Sequence, residues 1–497
     1  MSKKETVIIG AGLGGLVCGA LLSKEGHKVT IVEKNHRVGG GLQSYKRFGV
    51  TFDTCMHVFG GMQMNGNIRK ICDYLGITER FVTVDLDRDF DTEVYIHSQN
   101  EFYSFSLLQD RFVDSLAKYF PGSRNELIAY QHSLRNIMDD FDLFNLRMRI
   151  SDKTTENEDI FLPADAFIER IISEPKLKTL LSTLNVLYGG EQGITSSLLH
   201  AAISVIFMNG ACRVAGGYST FATALASCIF ENGGEIITDD EIRGIVSSEN
   251  GVNWIVTKSG KHIKGDNYIS SLPLSTMMTM FDGNIPLSKT YRNWLNMREP
   301  SHSAFIINIK LKPNSLKYFN RIGFYLENTS DAWRASDGTD VHRFMYMTPP
   351  IIQQGEYAET LNVIIPMQWK AVHQWADTNV GQRGKDYLIF KERILNVALE
   401  KLTYIFPDIK NQIDDIDTSS PLTIRDYTGT IKGAICGYRK DCSDTLLFLP
   451  VTTRIPNLFI TGQCVNLHGF CGVTLTAIET CEAIVGKNNI IRKINKS

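Results

Sequence analysis

The sequence predicts an α/β fold, with a Rossmann-like dinucleotide-binding domain that is interrupted by an inserted α+β domain. Two stretches predict the first domain: a strand, glycine turn, helix and strand at residues 6–32, and a strand, glycine turn and helix at residues 457–486. The inserted domain is predicted by length. A chain of 497 residues exceeds what one hydrophobic core normally supports.

The N-terminal unit begins with a β-branched strand at residues 6–9. Gly10, Gly12 and Gly15 follow in GxGxxG spacing, and apolar residues at helical spacing continue until Gly26. A second strand is predicted at residues 29–32. Gly10 permits the tight turn, Gly12 leaves space for a pyrophosphate, and Gly15 lets helix and strand pack closely. The free N–H groups at the helix N-terminus favour a bound anion.

Glu33 ends the second strand, roughly 20 residues after the glycines, where an acid accepts hydrogen bonds from an adenosine ribose. An acid there favours a free 2′-OH over a 2′-phosphate. The GxGxxG pattern does not separate NAD from FAD. A plain glycine turn is the alternative.

The stretch after Glu33, KNHRVGGGLQS, distinguishes the two cofactors. It resembles the second glycine pair of the FAD-dependent amine oxidase and phytoene desaturase superfamily. The resemblance implies FAD as cofactor and a glutathione-reductase-type FAD-binding domain, with Gly39 and Gly40 close to the pyrophosphate. The sequence departs from the pattern at Gly41, where many members carry arginine. A flexible glycine-rich loop is the alternative.

Three further stretches resemble retinol saturases and carotenoid isomerases: FGVTFDTCMHVFGG (48–61), YTGTIKGAICGYRKD (427–441) and NLFITGQCVNLHGFCGVTLTAIETCEAIVG (457–486). The resemblance implies that the last helix starts at the flavin, and most members have an acid where this chain has Cys464. His468 and His57 are the acid–base candidates, and a structural histidine is the alternative for His57. The residues assigned to FAD are Gly10, Gly12, Leu13, Gly14, Gly15, Glu33, Lys34, Arg37, Gly39, Gly40, Gly41, Ser44, Ile242, Gly462, Gln463, Gly472, Val473 and Thr474.

We therefore predict five segments. Residues 1–66, 216–290 and 426–497 form the FAD-binding domain, whereas residues 67–215, mostly helical, and residues 291–425, with a mixed sheet, form the substrate domain. Apolar residues 179–212 suggest a pocket for a greasy substrate or a membrane-docking surface, and plain core is the alternative.

The resemblance implies an FAD-dependent oxidoreductase that saturates, desaturates or isomerises carbon–carbon bonds of a long hydrophobic polyene or isoprenoid. An amine oxidase is the alternative, although it needs an aromatic cage that the sequence does not reveal. A non-catalytic relative, such as a Rab GDP-dissociation inhibitor, is disfavoured by the intact glycines. Only one GxGxxG occurs, so the electron partner stays open between NAD(P)H and another donor or acceptor.

The amino-acid composition limits the partners, metal sites and cellular compartment that can be expected. A net charge of −2 and a pI of about 6.6 give no reason to expect nucleic acid. The ten cysteines show no CxxC and no metal-ligand spacing, so no metal site and a reducing cytoplasmic compartment are predicted, with peripheral membrane contact as an open alternative. No stretch approaches the roughly 20 apolar residues of a membrane span.

Overall fold

The computed structural model describes residues 3–149, 157–281, 288–350, 355–444 and 447–497. Its strands, in chain order, are β1 (Glu5–Ile9), β2 (Lys28–Val32), β3 (Ser44–Arg47), β4 (Val50–Asp53), β5 (Phe59–Gly60), β6 (Thr83–Asp85), β7 (Thr92–Ile96), β8 (Glu101–Phe105), β9 (Ala211–Val214), β10 (Glu235–Ile237), β11 (Ile242–Ser248), β12 (Gly251–Thr257), β13 (His262–Ile263), β14 (Asn267–Ser270), β15 (Ser303–Leu311), β16 (Ile322–Leu326), β17 (Arg343–Met347), β18 (Thr360–Met367), β19 (Ile413–Ser419) and β20 (Leu458–Ile460).

The α-helices, in chain order, are α1 (Leu13–Lys24), α2 (Asn67–Leu75), α3 (Phe112–Ala117), α4 (Arg124–Asp139), α5 (Ala164–Ile171), α6 (Pro175–Ser182), α7 (Ser197–Met208), α8 (Ser219–Glu231), α9 (Leu274–Met278), α10 (Lys289–Asn296), α11 (Lys385–Leu402), α12 (Ile409–Gln412), α13 (Pro421–Thr428), α14 (Gly469–Val485) and α15 (Asn489–Ile494).

A parallel sheet of five strands carries the N-terminal unit, in the order β10-β2-β1-β14-β20. β1 is central and pairs with β2 on one side and with β14 on the other. The strands come from three distant parts of the chain, which is the arrangement expected of a doubly wound fold with insertions. The predicted strands at residues 6–9 and 29–32 and the predicted helix between them are present in this order.

Helix α1 lies against this sheet and against α8, and its glycines allow the close approach. A Cβ on Gly19 would lie 2.7 Å from Ile31 Cδ1 on β2 and 2.9 Å from Ile229 Cδ1 on α8. Gly26, with φ +88°, follows the helix, as the sequence predicts.

A mixed sheet of seven strands forms the second layer, in the order β19-β15-β18-β17-β16-β7-β8. β15 pairs antiparallel with both β18 and β19, whereas β16 pairs parallel with β7. Alternate residues face opposite sides. Ala304 and Ile306 join the core shared with the helices and the first sheet, whereas Phe305 and Ile307 pack in a separate core with α11.

Residues 67–215 are predicted to be mostly helical, and the structure has strands among these helices. β6, β7 and β8 lie between α2 and α3, and β7 and β8 join the seven-stranded sheet. Their sequences, TEVYI and EFYSF, are rich in β-branched and aromatic residues, and pairing with the distant β16 stabilises them as strands. Residues 150–152 lie outside the described residues.

The apolar stretch 179–212 forms much of α6 and all of α7, and it is core. Leu198, Leu199, Phe207 and Met208 are buried. These four side chains therefore face the protein interior, and Leu199 lines a small apolar cavity together with Leu187, Tyr188 and Ile206 of the same stretch. Within the described ranges, no helix is both long and apolar enough to cross a membrane.

Candidate cofactor and active site

A cavity of about 320 Å³ lies at the carboxyl ends of the parallel strands. Ile9 of β1, Val32 of β2, Ser271 after β14 and Gly462 after β20 all line it. Ligands of open parallel sheets bind at this edge. The cavity therefore brings together the three distant parts of the chain that build the sheet.

The start of α1 forms one wall. Gly12 is the N-cap of α1 and lines the cavity, and a Cβ placed on it would meet no protein atom within 4 Å. The second glycine loop packs against this turn, since Gly39 N–H donates to Ala11 O at 2.7 Å. The space beside Gly12 and the exposed helix N-terminus fit a pyrophosphate.

Glu33 stands beside the same turn. Its carboxylate is buried and lines the cavity, with Oε2 accepting from Ala11 N–H at 2.8 Å and Oε1 from Asn35 N–H at 2.9 Å. Each carboxylate oxygen has a second lone-pair site, so Glu33 can also accept from a ribose hydroxyl. These residues fit the adenosine end of FAD.

The opposite end of the cavity is apolar and meets the start of α14. Cys55, Met56, Ile435 and Val473 line it together with Gly469, the first residue of α14. A Cβ on Gly469 would meet no atom within 4 Å, so this helix N-terminus is also open to the cavity. A flat apolar ring with a polar edge that gains negative charge on reduction fits here.

Most of the predicted FAD-binding residues come together at this cavity. Those that line it are Gly10, Gly12, Leu13, Gly14, Glu33, Lys34, Gly39, Gly40, Gly41, Ile242, Gly462, Gln463 and Val473. Their roles toward FAD stay predictions.

Five predicted residues lie away from the cavity wall. Gly15 and Gly472 allow backbone contacts, because a Cβ on Gly15 would lie 2.0 Å from Gly10 O and one on Gly472 2.5 Å from Leu467 Cβ. Arg37 is exposed. Ser44 Oγ donates to Asp53 Oδ1 at 2.6 Å, and Thr474 Oγ1 donates to Phe470 O inside α14.

Several lining residues are absent from the sequence-based set. They include Cys55, Met56, Ser271, Thr276, Thr428, Thr430, Ile435 and Cys464. Three sequence signals cover some of them: the stretch 48–61 contains Cys55 and Met56, the stretch 427–441 contains Thr428 to Ile435, and Cys464 is the position where the chain departs from the family pattern.

Neither candidate histidine lines this cavity. His57 is buried beside Arg213, its Nε2 has no hydrogen-bond partner, and burial together with Arg213 lowers its pKa to about 4. His468 is the N-cap of α14, and its Nε2 donates to Tyr438 O at 3.1 Å. Burial first, and then the nearby Lys440, lowers its pKa to about 3. His468 lines a separate small apolar cavity with Leu187 and Tyr188.

Comparison with known proteins agrees with this geometry. Residues 13–337 match the family described as flavin containing amine oxidoreductase. The chain is 24% identical over 528 residues to the all-trans-retinol 13,14-reductase of Danio rerio, covering 98% of this chain and 86% of that protein.

Two further similarities extend the comparison. The 4,4'-diapolycopene oxygenase of a Methylomonas species is 23% identical over 503 residues, which covers 94% of this chain and 95% of that protein. The crystal structure of an oxidoreductase from Methanosarcina mazei superposes with a TM-score of 0.66 at 16% identity, covering 96% of this chain and all of that one.

Proposed function

The chain belongs to the flavin containing amine oxidoreductase family and uses FAD, and from that premise we propose that it acts on carbon–carbon double bonds of a long hydrophobic polyene or isoprenoid. The reaction is a saturation, a desaturation or an isomerisation. The relatives named for retinol and diapolycopene support this substrate class.

The observation that carries the proposal is the apolar inner end of the cavity. Cys55, Met56, Ile435 and Val473 line the place that fits the flavin ring. The carboxylates among the described lining residues, Glu33 and Glu241, lie at the ends of β2 and β11 instead. An apolar wall excludes water and favours a hydrocarbon over a charged amine.

We assign each part of the cavity to one part of the cofactor. Gly12 and the α1 N-terminus hold the pyrophosphate, Glu33 holds the ribose, and the α14 N-terminus faces the flavin. Bound FAD supplies hydride exchange with a substrate carbon. His468 and His57 stay the proposed proton-handling residues, although neither lines the cofactor cavity and their lowered pKa values make both imidazoles neutral, weak bases at pH 7.

The alternative, an amine oxidase, gains no support from the cavity. Among the residues that the structure describes, no Phe, Tyr or Trp lines it. The aromatic cage that amine oxidation requires is therefore missing at this wall. Putrescine oxidase shares the fold with a TM-score of 0.63, but at 12% identity the similarity concerns the fold alone.

An absorbance spectrum of the purified protein, followed by anaerobic addition of NADH or NADPH, tests the proposal. We expect a flavin spectrum. Bleaching by a nicotinamide, followed by reoxidation when a conjugated polyene is added, indicates a saturase. A flavin that the polyene itself bleaches indicates a desaturase, and a polyene that changes its spectrum without net flavin reduction indicates an isomerase.

Amines provide the opposing measurement. If putrescine or cyclohexylamine bleaches the flavin anaerobically and no polyene affects it, the amine oxidase is the correct function. If the protein binds no flavin even after FAD is added, the cofactor site described here is wrong.

A further inference from the structure

Two buried side chains at one end of the seven-stranded sheet, those of His302 and Arg343, have nitrogen atoms without a hydrogen-bond partner. His302 precedes β15, and neither of its ring nitrogens has a hydrogen-bond partner. Arg343 begins β17, and its Nη2 also lacks one. His302 is 7% exposed and Arg343 2% exposed. Buried polar groups are normally hydrogen-bonded, so these two need an explanation.

The two residues share a face and a level of the sheet. Ala304 pairs with Pro366, and Met345 pairs with Ile364, so the antiparallel register places Arg343 level with Ala304 across β18. Ala304 and Met345 both belong to the core that the sheet shares with the helices. Because side chains alternate along a strand, His302 and Arg343 face that same core. Burial, and then the charge of the nearby Arg343, lowers the pKa of His302 to about 3.

The Arg343 guanidinium is held in place but not neutralised. Its Nε donates to Arg334 O at 2.6 Å, and its Nη1 donates to Asn185 Oδ1 at 2.6 Å and to Ala332 O. Within the described parts of the chain, no carboxylate forms an ion pair with it. Asp331 acts on it only through space, since its Oδ2 accepts from Asn328 and its Oδ1 lies 3.5 Å from Arg334 Nη1.

This place adjoins the cofactor cavity. Ile435, which lines the apolar end of the cavity, donates its N–H to His302 O at 3.3 Å. On the other side, Gly189 packs on Ser301, because a Cβ on Gly189 would lie 3.1 Å from Ser301 Cβ. Beyond Gly189, Leu187 and Tyr188 line the small apolar cavity at His468. The backbone at Ser301 and His302 therefore lies between the two cavities.

We propose that Arg343 and His302 form a carboxylate-binding subsite, and that the substrate is a long apolar molecule carrying a carboxylate. A carboxylate would accept from Arg343 Nη2 and from a His302 N–H, and it would neutralise a buried guanidinium that pairs with no acid among the described residues. A hydroxyl group would accept a hydrogen bond but leave the charge unpaired. The inference rests on the proposed function and narrows its substrate.

Matched ligands test the subsite on the FAD-loaded protein. All-trans-retinoic acid and its methyl ester share one apolar chain and differ in the charge. Dissociation constants are measured from the change in flavin absorbance. We expect the acid to bind the natural protein on the order of tenfold more tightly than the ester, as a charge-assisted hydrogen bond predicts. Arg343→Gln should bring that ratio close to one without changing the ester's dissociation constant.

Two variants separate binding from folding. His302→Phe removes a side chain whose nitrogens have no partners, so it should keep the unfolding temperature while weakening acid binding several-fold. Arg213→Gln is the matched control, because Arg213 is also buried and donates to two backbone carbonyls, Thr348 O and Arg321 O, at the other end of β17. It should leave the acid-to-ester ratio unchanged.

The outcomes distinguish this inference from the proposed function. If the ester binds and the acid binds no more tightly, the subsite is overturned and the polyene function stands. The subsite is also overturned if both Arg343→Gln and His302→Phe retain the acid preference. If neither retinoid perturbs the flavin, the polyene function fails and the subsite fails with it.

Discussion

Two glycines at the start of α1 carry out different physical tasks. Gly15 is required by packing, since a Cβ there would lie 2.0 Å from Gly10 O. Gly12 is free of protein contacts, since a Cβ there would meet no atom within 4 Å. The same spacing motif therefore contains one residue that the packing of the fold requires and one that packing leaves free, which we propose serves the cofactor.

We predict that Gly12→Val yields a folded protein that no longer holds FAD. The added side chain would occupy the space beside the α1 N-terminus, so flavin content should fall at least on the order of tenfold, while the unfolding temperature of the FAD-free protein changes little. The measurement is flavin absorbance per protein after gel filtration. Gly15→Val is the contrast, and it should lower the unfolding temperature of the FAD-free protein. Equal flavin content in Gly12→Val and the natural protein would contradict this assignment.

Asp53 is a buried acid whose charge destabilises the fold. Its Oδ1 accepts from Ser44 Oγ at 2.6 Å and from Tyr218 N–H at 3.0 Å, yet burial raises its pKa to about 6 from 3.8. Because the folded-state pKa is the higher one, Asp53 contributes stability that is fully present below pH 3.8 and is lost as the pH rises through 6.

Asp53→Asn should therefore stabilise the protein at pH 7.5, by roughly 2 kcal/mol, because Asn Oδ1 accepts the same two hydrogen bonds without a charge. Urea unfolding at pH 7.5 and pH 4 measures this, and the gain should vanish near pH 4. Glu79→Gln, on a side chain that is 94% exposed, is the control and should change little at either pH. A loss of stability at pH 7.5 would refute the prediction.

Single buried polar residues are the part of the site that the sequence does not reveal. Glu33 and Gly12 could be placed at the cavity because a local spacing motif predicts their roles, which stay predictions. His302 and Arg343 sit in apolar strand stretches, SHSAFIINIKL and HRFMYM, where nothing local distinguishes a functional residue from a structural one. The partners of Arg343, Asn185 and Ala332, come from other parts of the chain, and the His302 ring has none.

At the scale of elements, the segment of residues 436–441 is hydrogen-bonded to the loop of residues 461–468 that precedes α14. We call it the clasp. Lys440 Nζ donates to Val465 O at 3.2 Å and to Leu447 O at 2.9 Å, and Tyr438 O accepts from His468. The clasp thus fixes the turn that carries the cavity residues Gln463 and Cys464.

Lys440 makes the clasp sensitive to pH. Burial lowers its pKa to about 7 from 10.5. Between these two pH values the unfolded chain therefore binds a proton that the folded chain does not. The free energy of unfolding rises with pH in that window, by up to roughly 1.4 kcal/mol per pH unit. We predict that Lys440→Met removes this rise. Urea unfolding at pH 7, 8 and 9 measures it.

Lys258→Met is the control for Lys440, because Lys258 is an exposed lysine. It should show the same rise with pH as the natural protein. If Lys440→Met keeps the natural slope, the lysine is not responsible.

Elements with local signatures were predictable and those that depend on distant pairing were not. The mixed sheet predicted within residues 291–425 is present, with SAFIINIKL as β15 and TLNVIIPM as β18. β7 and β8 lie in a stretch where helical spacing dominates, because their five-residue patterns are too short to outweigh the helices around them, and β16, which pairs with β7, lies more than 200 residues away.

At the scale of the whole molecule, the cavity is lined by residues from distant parts of the chain. Gly12, Ile242 and Val473 all line it, although they belong to the beginning, middle and end of the sequence. The order of these three parts could be predicted because each carries its own glycine-and-helix motif. The division into five segments with the proposed boundaries stays a prediction.

We predict that FAD stabilises the entire chain as one unit. At a free concentration of 100 times the dissociation constant, FAD should add about 2.7 kcal/mol to the free energy of unfolding. Calorimetry of the FAD-free protein with and without FAD should show a single transition that moves upward. ADP, which fits only the Gly12 and Glu33 end, should give a smaller shift at the same concentration. Two transitions, of which FAD moves one, would contradict this coupling.

β20 is an edge strand of the five-stranded sheet and the last of its strands to be synthesised, so the sheet stays incomplete until late in translation. β14 lies between β1 and β20, and roughly 190 residues separate β14 from β20 along the chain. At about 5–20 residues per second of synthesis, β14 therefore waits on the order of 10–40 s with one edge unpaired. An open strand edge is a template for pairing with another chain. A polypeptide released from the ribosome before residue 458 keeps that edge, lacks the α14 wall, and is a target for chaperones and proteases.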